Sequence, residues 1–450
     1  MAILVRNVQI FTGGQVSKDC FDVLIDNHQV TEIVPVQEQA HGQVQEQAIE
    51  DRWASAEAAN GHEALTVIDG SRCLLAPGFI DMHVHLREPG FEHKETIASG
   101  SLAAAKGGFT SVCCMPNTQP VVDNRQTVEY IMEKAKANNG VDVHVIGAIS
   151  IGELGEKLTD FSELKKAGII ALSDDGRGVQ NGKLMLDAFQ QAAEHGLPVI
   201  IHAEDELLAA RGHIHDGTKA KMLGITGIPS VSESVMVARD ILLAKDSGCH
   251  VHFAHMSAKE SIQWIGFAKQ LGIRVTCEVT PQHLVLTDED IPLNHGNYKV
   301  NPPLRSYEDR EVLREAFRDG VIDIIATDHA PHTEEEKSQG IVKSPFGMVG
   351  LETAFPVLYT HLVQPGIIQL ERLLDAMTNK PAELFGIECG SVQPGGTADF
   401  VLLDLQTSKA VEASDFVSKG KNSPFIGDSL CGWPILTIKS GEIIYSNTNQ

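Results

Sequence analysis

FIDMHVHLREPG, residues 79–90, is the most informative stretch of this sequence. Apolar residues within and just before it predict a β-strand. Residues two apart in a strand share a face, so His83 and His85 are expected to point the same way. Two imidazoles on one face can bind one metal ion. Such a pair also arises by coincidence, so its meaning depends on the residues that accompany it.

Seven more strand patterns follow, with helix patterns such as 95–108 and 183–196 between them. Gly196, with Pro198 just after it, predicts the end of the second of these helices. Regular alternation of strand and helix predicts an α/β fold, a closed (β/α)8, TIM-like barrel whose chemistry lies at the C-terminal strand ends. The eight predicted strands span residues 79–86, 110–117, 141–149, 169–175, 198–204, 250–256, 274–280 and 322–329.

The two ends of the chain have a different pattern. Short β-like runs separated by turn residues occupy 1–74 and recur after the barrel, so we predict a small β-sandwich built from residues 1–74 and 387–450. The barrel domain is then 75–386. Residues 37–63 are rich in Gln, Glu, Ala and His and lack apolar periodicity, which indicates an exposed helical or disordered insertion without a role in the site.

Composition excludes several classes of partner. Lys and Arg number 36 against 60 Asp and Glu, and the net charge of −24 argues against nucleic acid or an anionic membrane as the main partner. No apolar run approaches the ~20 residues of a membrane span, and the start lacks a secretory pattern, so we expect a cytoplasmic protein. The eight cysteines are scattered without a CxxC pair, which is typical of reduced, buried thiols.

Further candidate ligands stand at the ends of other predicted strands, namely His202, His255 and Asp328. Imidazoles with carboxylates suit zinc, and also manganese, iron or cobalt, with zinc as the default expectation. The set exceeds what one tetrahedral ion with an open position needs, which indicates two ions and a bridging group. Asp174 or Asp175 in SDDG could bridge them, although an Asp before Gly is also a common turn signal.

Nine motifs in order now allow a comparison with a known family. Together they resemble the dihydroorotases of the amidohydrolase superfamily, and more narrowly the longer, bacterial type I enzymes, over nearly the whole chain. The motifs are HVHLREPG (83–90), MPNT (115–118), SDDG (173–176), HAED (202–205), AHMS (254–257), EVTP (278–281), NPPLR (301–305), ATDHAPH (326–332) and SPFGMVGLETAFP (344–356).

The resemblance implies reversible hydrolysis of the ring amide of L-dihydroorotate, or cyclisation of N-carbamoyl-L-aspartate, in de novo pyrimidine biosynthesis through a zinc-bound hydroxide. It implies a more buried zinc ion held by His83, His85 and Asp328, and a more exposed one held by His202 and His255. Asp175, directly before the glycine, would bridge the two ions. Strand four holds no lysine, so the carbamate bridge of related enzymes is replaced by this carboxylate.

The family pattern also assigns roles in substrate binding and proton transfer. Arg87, Asn117 and His332 match positions that bind the substrate carboxylate, and Asn301 matches one that contacts the pyrimidine ring. Asp328 would carry the proton from the attacking oxygen to the leaving nitrogen. The implied partners are a small-molecule substrate, a second copy of the chain as a homodimer, and an aspartate transcarbamoylase.

Two other functions stay open at this point. A hydantoinase or allantoinase would share barrel and metals, but Arg87 and Asn117 fit a substrate carboxylate better. An inactive scaffold partner of a transcarbamoylase is the non-enzyme alternative. The histidines inside strands three and six, His144, His250 and His252, are expected to be hydrogen-bonded core residues.

Overall fold

We analysed a computed structural model, which describes residues 2–36, 65–138 and 140–447. The insertion predicted at 37–63 lies outside the described residues. The prediction of an α/β barrel is confirmed, because eight parallel strands lie in chain order in one sheet with helices between them. These strands are Phe79–Val84, Phe109–Cys114, Asp142–Ala148, Ala171–Ser173, Val199–Ile201, Val251–Phe253, Val275–Val279 and Ile324–Ile325.

The barrel is closed between its last and first strands by few contacts. Val84 and His329 form a parallel bridge, and the backbone N–H of His85 donates to the carbonyl of His329 at 2.8 Å. The buried carboxylate of Asp81 in the first strand accepts from the backbone N–H and the hydroxyl of Thr327, at 3.1 and 2.6 Å. The loop after strand eight is thereby fixed beside the two histidines of strand one.

Helices surround the barrel and close its N-terminal end. The helix at Gly182–His195 ends with Gly196 in a left-handed conformation at φ +63°, as the sequence predicted. Phe385, at the end of the helix Asn379–Phe385, packs against the apolar interior of the barrel. Around the strands lie the helices Ile97–Lys106, Arg125–Lys136, Phe161–Ala167, Gly182–His195, Val231–Ser247, Lys259–Gln270, Tyr307–Arg318, Ala354–Leu358, Leu370–Met377 and Asn379–Phe385.

Shorter elements extend the loops at the C-terminal strand ends. These are the helices Glu206–Ala209, Thr218–Leu223, Pro281–Val285, Glu334–Lys337 and Gly340–Lys343, with the paired strands Ile214–His215 and Gly227–Ile228. Because the interior is filled by apolar side chains and the opposite end is covered, these loops surround the accessible opening of the barrel.

The two ends of the chain form a separate sheet, as predicted. Cys73–Pro77 lies between Ala2–Thr12, which it pairs in parallel, and Phe400–Asp404, which it pairs antiparallel. Apolar residues from both chain ends, including Ile3, Val23, Phe400 and Leu436, form one buried cluster. The strands of this sheet are Ala2–Thr12, Gln15–Val16, Phe21–Asp26, Gln29–Pro35, Leu65–Asp69, Cys73–Pro77, Phe400–Asp404, Trp433–Lys439 and Glu442–Ser446.

All eight cysteines are free thiols, in agreement with the sequence analysis. Among the described residues, none of the helices combines the length and the apolar character needed to cross a bilayer.

Candidate active site

The structure brings the six predicted metal ligands together at the C-terminal end of the barrel. His83 lies within strand one, whereas the others lie one to three residues after the ends of their strands. All six side chains are buried, with at most 6% of any residue exposed. The six residues are His83, His85, Asp175, His202, His255 and Asp328.

The first group surrounds Nε2 of the two strand-one histidines. Nε2 of His83 lies 3.4 Å from Oδ1 of Asp175 and 3.6 Å from Oδ1 of Asp328. Nε2 of His85 lies 3.5 Å from Oδ2 of Asp175 and 3.2 Å from Oδ1 of Asp328. Two imidazole nitrogens and two carboxylates thus converge on one point.

The second group shares Asp175 with the first. Oδ1 of Asp175 lies 3.7 Å from Nδ1 of His202 and 3.6 Å from Nε2 of His255, and these two nitrogens are 3.0 Å apart. Within the described residues, the groups of three His, Cys, Asp or Glu side chains close enough to hold a metal ion are His83, His85 and Asp175, and Asp175, His202 and His255. A cation in each group would have Asp175 as a common ligand.

Hydrogen bonds on the far side of each strand-one imidazole fix which nitrogen faces the centre. Nδ1–H of His83 donates to Glu278 at 2.8 Å, and Nδ1–H of His85 donates to the side-chain oxygen of Asn117 at 2.9 Å. Each Nε2 therefore directs a lone pair at the carboxylates of Asp175 and Asp328. Lone pairs facing carboxylate oxygens are stabilised by a cation between them, so the donor set fits a metal ion.

Two buried atoms at the centre support this fit. Nε2 of His83 and Oδ1 of Asp175 have no hydrogen-bond partner among the residues that the structure describes. Buried polar atoms in folded proteins are nearly always paired, and a ligand role accounts for both exceptions.

The electrostatics of the centre favour positive charge. Burial opposes ionisation of His83, but Asp175 and Glu278 outweigh it and raise the pKa of His83 well above its usual value. Burial also opposes ionisation of Asp175, yet the imidazoles of His83, His202 and His255 hold its pKa well below normal. The carboxylates at the centre therefore remain ionised, as metal ligands must be.

The neighbouring aspartate of SDDG has a different role. Oδ1 of Asp174 accepts from the backbone N–H of Ile149 at 2.8 Å and of Ser150 at 3.0 Å, and Oδ2 accepts from the Ser150 hydroxyl. Asp174 therefore holds the loop after strand three, while Asp175 faces the histidines.

Three site residues adopt a left-handed backbone that L-residues rarely use. The φ angles are +62° at Arg87, +34° at His255 and +51° at Asp328. Such conformations cost of order 1–3 kcal/mol each and persist where the surrounding structure imposes them, often at active sites. They turn the chain just after the ends of strands one, six and eight.

A cavity of about 130 Å³ opens above the two groups. Arg87 and Asn117 lie on its wall, together with Asn301, whose amide nitrogen is 3.4 Å from Nε2 of His202. The remaining lining residues are His85, Asp175, Gly176, His202, His255, Asp328, Ala330, Phe346 and Gly347.

His332 stands behind Arg87 rather than on the cavity wall. Its Nε2–H donates to the carbonyl of Phe346 at 2.8 Å, and its Nδ1 accepts from Lys94 at 3.3 Å. Burial and the nearby Arg87 and Lys94 lower the pKa of His332 to about 2, so the ring is neutral. Nη2 of Arg87 is 3.3 Å from its Nε2.

Glu278 was not singled out by the sequence analysis. Its Oε1 also accepts from the backbone N–H of His255 at 3.2 Å, and its Oε2 accepts from Nε2–H of His252 at 3.1 Å. It therefore contacts one residue of each group, His83 and His255. A glutamate between Cys277 and Val279 in the strand pattern RVTCEVT was the available signal. The expectation that His252 is a hydrogen-bonded core residue agrees with this contact.

The chain is similar to known dihydroorotases along most of its length. The family model described as "Dihydro-orotase-like" matches residues 72–261. A curated dihydroorotase from Anoxybacillus flavithermus is 54% identical over 379 residues, which cover 84% of this chain and 89% of the relative. A curated dihydroorotase from Brevibacillus brevis is 53% identical over 389 residues, covering 86% of this chain and 91% of the relative.

Similar solved structures have the same barrel and terminal sheet. The L-hydantoinase (dihydropyrimidinase) from Arthrobacter aurescens has a TM-score of 0.82 at 27% identity, covering 99% of this chain and 96% of its own. A dihydropyrimidinase from Brevibacillus agri has a TM-score of 0.81 at 23% identity, covering 99% and 95%, which is a likeness in fold alone. Because the much higher identity to the curated relatives extends over most of both chains, the chain belongs to the dihydroorotase family.

Proposed function

We propose that this protein is a cyclic amidohydrolase that opens the ring amide of L-dihydroorotate and, in reverse, closes N-carbamoyl-L-aspartate, in de novo pyrimidine biosynthesis. The observation that carries the proposal is the position of Arg87 on the wall of a cavity above two histidine groups that share Asp175. The cavity places the cationic side chain of Arg87, which can bind a substrate carboxylate, beside a centre suited to amide hydrolysis.

We propose zinc as the metal, with two ions per subunit. His83, His85 and Asp328 would hold one ion, His202 and His255 the other, and Asp175 both. Zinc bound there would supply a Lewis acid for the scissile carbonyl and lower the pKa of a coordinated water towards ~7. The absence of a lysine in strand four, Ala171–Ser173, and in the following Asp174–Gly176 supports a carboxylate as the shared ligand.

Arg87 is placed to grip the substrate carboxylate. Its Nε–H donates to the carbonyl of Pro331 at 3.3 Å, which anchors the guanidinium and leaves its other N–H groups for a ligand. The neutral His332 ring already donates its one N–H to Phe346, so it does not consume these donors. Burial lowers the pKa of Arg87 to about 10, at which the side chain is still cationic at neutral pH.

Asn117 and Asn301 would complete the substrate contacts. The Asn117 oxygen is bonded to His85, but its amide nitrogen makes only long contacts with Asp175, at 3.3 and 3.4 Å. That nitrogen can therefore share the substrate carboxylate with Arg87. The buried side-chain oxygen of Asn301 has no hydrogen-bond partner in the described part of the chain and is available to a ring N–H.

Asp328 is the proposed proton carrier. Burial opposes its ionisation, but the adjacent imidazoles of His85 and His83 lower the pKa of Asp328 below its usual value. An ionised carboxylate on the cavity wall can take the proton of the attacking water and deliver it to the leaving ring nitrogen, a transfer typically worth 10²–10⁴ in rate. The reverse sequence closes the ring with loss of water.

The fold likeness to hydantoinases makes hydrolysis of uncharged cyclic amides the second candidate. Those substrates lack the carboxylate that Arg87 would bind. Ring opening of L-dihydroorotate, followed by ultraviolet absorbance and compared with hydantoin and dihydrouracil, separates the two, with metal content measured on the same sample. Faster opening of hydantoin or dihydrouracil contradicts the proposal. No turnover of any of them by zinc-loaded protein favours the inactive scaffold.

We also propose a cytoplasmic protein that forms a homodimer and associates with an aspartate transcarbamoylase. Trp264 and Phe267 support an interface, because both are about half exposed on the helix Lys259–Gln270. Light scattering of the pure protein, alone and mixed with the transcarbamoylase, tests both associations. The proposed domains are the terminal sheet, 1–74 with 387–450, and the barrel, 75–386.

A further inference from the structure

A segment outside the barrel packs behind the active-site wall. Residues 416–425 follow the terminal-sheet strand Phe400–Asp404 and dock on the barrel through its buried carboxylates. Glu352 accepts from the backbone N–H groups of Val417 and Ser418, both at 3.0 Å, and Glu95 accepts from that of Lys419 at 3.2 Å. These bonds fix the segment against the barrel loops.

Asn422 lies at the end of this docked stretch, with 3% of the residue exposed. Its Oδ1 accepts from the backbone N–H of His332 at 3.0 Å. Its Nδ2 donates to the carbonyls of Ala330 and Gly347, both at 3.1 Å. One amide thereby uses both of its N–H donors and joins two chain segments, 330–332 and 347.

Both segments lie next to Arg87, which we propose binds the substrate carboxylate. Ala330 and Gly347 line the cavity, and the carbonyl of Pro331, between Ala330 and His332, anchors Nε–H of Arg87. The contact between the segments is tight, since a Cβ added at Gly347 would lie 2.7 Å from the Cβ of Ala330. A shift of either segment would therefore move the anchor of the guanidinium.

Lys337 also stabilises the loop that contains Gly347, through hydrogen bonds within the loop itself. The buried Lys337 donates to the carbonyls of Gly347 at 2.7 Å and Pro345 at 2.9 Å. Lys337 fixes the shape of the loop, but within the described residues it makes no hydrogen bond to 330–332. Asn422 adds to two direct bonds between the segments, in which the backbone N–H of Ala330 donates to the carbonyl of Met348 and Nε2–H of His332 donates to that of Phe346, both at 2.8 Å.

We propose that Asn422 is a positioning residue for substrate specificity, acting through His332 and Pro331 on Arg87. This inference rests on the proposed function, because it concerns how the substrate carboxylate is held. Asn422 does not touch the histidine groups, so its loss should weaken recognition of the carboxylate and leave metal binding intact.

The test compares Asn422→Ala with Asn422→Gln, which keeps the amide, and with Asn379→Ala as a control. Asn379 is half-buried and donates to Asp375, on a helix at the other end of the barrel. KM and kcat for L-dihydroorotate are measured, and the zinc content of each variant is determined on the same sample. The affinities of orotate and its carboxamide, as inhibitors, report carboxylate recognition directly.

We expect Asn422→Ala to raise KM about ten-fold or more, as loss of hydrogen bonds to the wall would, with kcat changed less than about three-fold. The preference for orotate over the carboxamide should fall by a similar factor, and Asn422→Gln should lose less. Zinc content should stay unchanged, and the control should behave as wild type.

An unchanged KM and inhibitor preference in Asn422→Ala would overturn the inference. Loss of zinc or of kcat alone in both Asn422 variants would also overturn it, because that result indicates a general structural role. A wild-type enzyme inactive on dihydroorotate contradicts the proposed function instead, and the two failures are thus distinguishable.

Discussion

Oε1 of Glu278 accepts a hydrogen bond from Nδ1–H of His83 at 2.8 Å, deep in the barrel where both side chains are fully buried. The same carboxylate accepts from His252 and from the backbone of His255. Burial opposes its ionisation, but the hydrogen bonds from His252 and His83 hold the pKa of Glu278 well below its usual value. An anion in this position makes His83 a stronger ligand and fixes its orientation.

We therefore expect Glu278→Gln to weaken zinc binding about 10–100-fold, the usual effect of removing such a partner. Competition with a chromophoric chelator measures the affinity, and activity is assayed at saturating zinc. Asp240→Asn is the matched control, since Asp240 is also fully buried but bonds Arg239 on an outer helix. Equal zinc affinity in Glu278→Gln and wild type would contradict this role.

Asp175 belongs to both histidine groups, so its removal should affect both of the proposed ions. Asp175→Ala should lose most bound zinc and all measurable turnover, because two cations would then lack their shared anion. Asp174→Asn serves as the adjacent control, and we expect it to lower the unfolding temperature while it retains zinc, since Asp174 bonds the backbone of Ile149 and Ser150. Metal analysis by mass spectrometry and thermal unfolding distinguish the two.

A shared carboxylate also predicts how the apo-protein is reactivated. Because Asp175 needs no carbon dioxide to become a ligand, zinc alone should restore activity in bicarbonate-free buffer. A strict requirement for bicarbonate would indicate that a carbamate is a shared ligand of the two ions. It would contradict the proposal that the Asp175 carboxylate bridges them alone. Recovery is followed by dihydroorotate turnover during zinc titration of chelator-treated enzyme.

Arg87→Lys tests whether Arg87 binds the substrate carboxylate. A guanidinium can form two parallel hydrogen bonds with a carboxylate, which an ammonium group does not reproduce. We expect a loss of about 1.5–3 kcal/mol in transition-state stabilisation, the size of a hydrogen bond to a charged group, seen mainly in kcat/KM. Zinc content should not change. The control variant Arg125→Lys, in an exposed pair with Glu129, should keep the wild-type kcat/KM. A loss confined to zinc content would assign Arg87 to the metal centre instead.

His250 lies at the N-terminal end of strand six. We expect it to make the free energy of unfolding sensitive to acid. Burial lowers its pKa to about 4, compared with about 6.5 in an unfolded chain. As pH falls from 6.5 towards 4, the unfolded state gains a proton that the folded state does not accept, so the free energy of unfolding decreases. The full effect is about 3 kcal/mol at the acid end.

His250→Gln should therefore flatten the decline in unfolding free energy between these pH values and leave it similar above pH ~7. Denaturant unfolding at several pH values measures this slope. The exposed His93→Gln should keep the wild-type slope. Parallel slopes in wild type and His250→Gln would contradict the assignment.

The sequence predicted the barrel and the side chains at its centre because their signals are local. His83 and His85 are two residues apart in a strand, and each of the other ligands follows an apolar run. Parallel strands bring such ends together whatever the loops contain. The choice between Asp174 and Asp175 was suggested by family resemblance, and the structure explains it through the bonds of Asp174 to the loop after strand three.

Contacts between distant parts of the chain were not predictable in this way. Glu278 lies 195 positions from His83 in sequence, and a glutamate in a strand has no local feature that identifies its partner. Asn422 bonds Ala330, His332 and Gly347 of the barrel loops from a segment assigned to the terminal sheet. The left-handed turns at His255 and Asp328 also depend on surrounding structure, because neither residue type favours that conformation enough to reveal it.

The pairing of Cys73–Pro77 with both Ala2–Thr12 and Phe400–Asp404 has a consequence for biosynthesis of the protein. During translation, the start of the chain leaves the ribosome long before residue 400 exists, so one edge of Cys73–Pro77 stays unpaired while the barrel is being made. Unpaired edges of this kind attract other nascent strands. Chaperone dependence during expression, and aggregation of C-terminally truncated products, are therefore expected from the order in which the sheet is assembled.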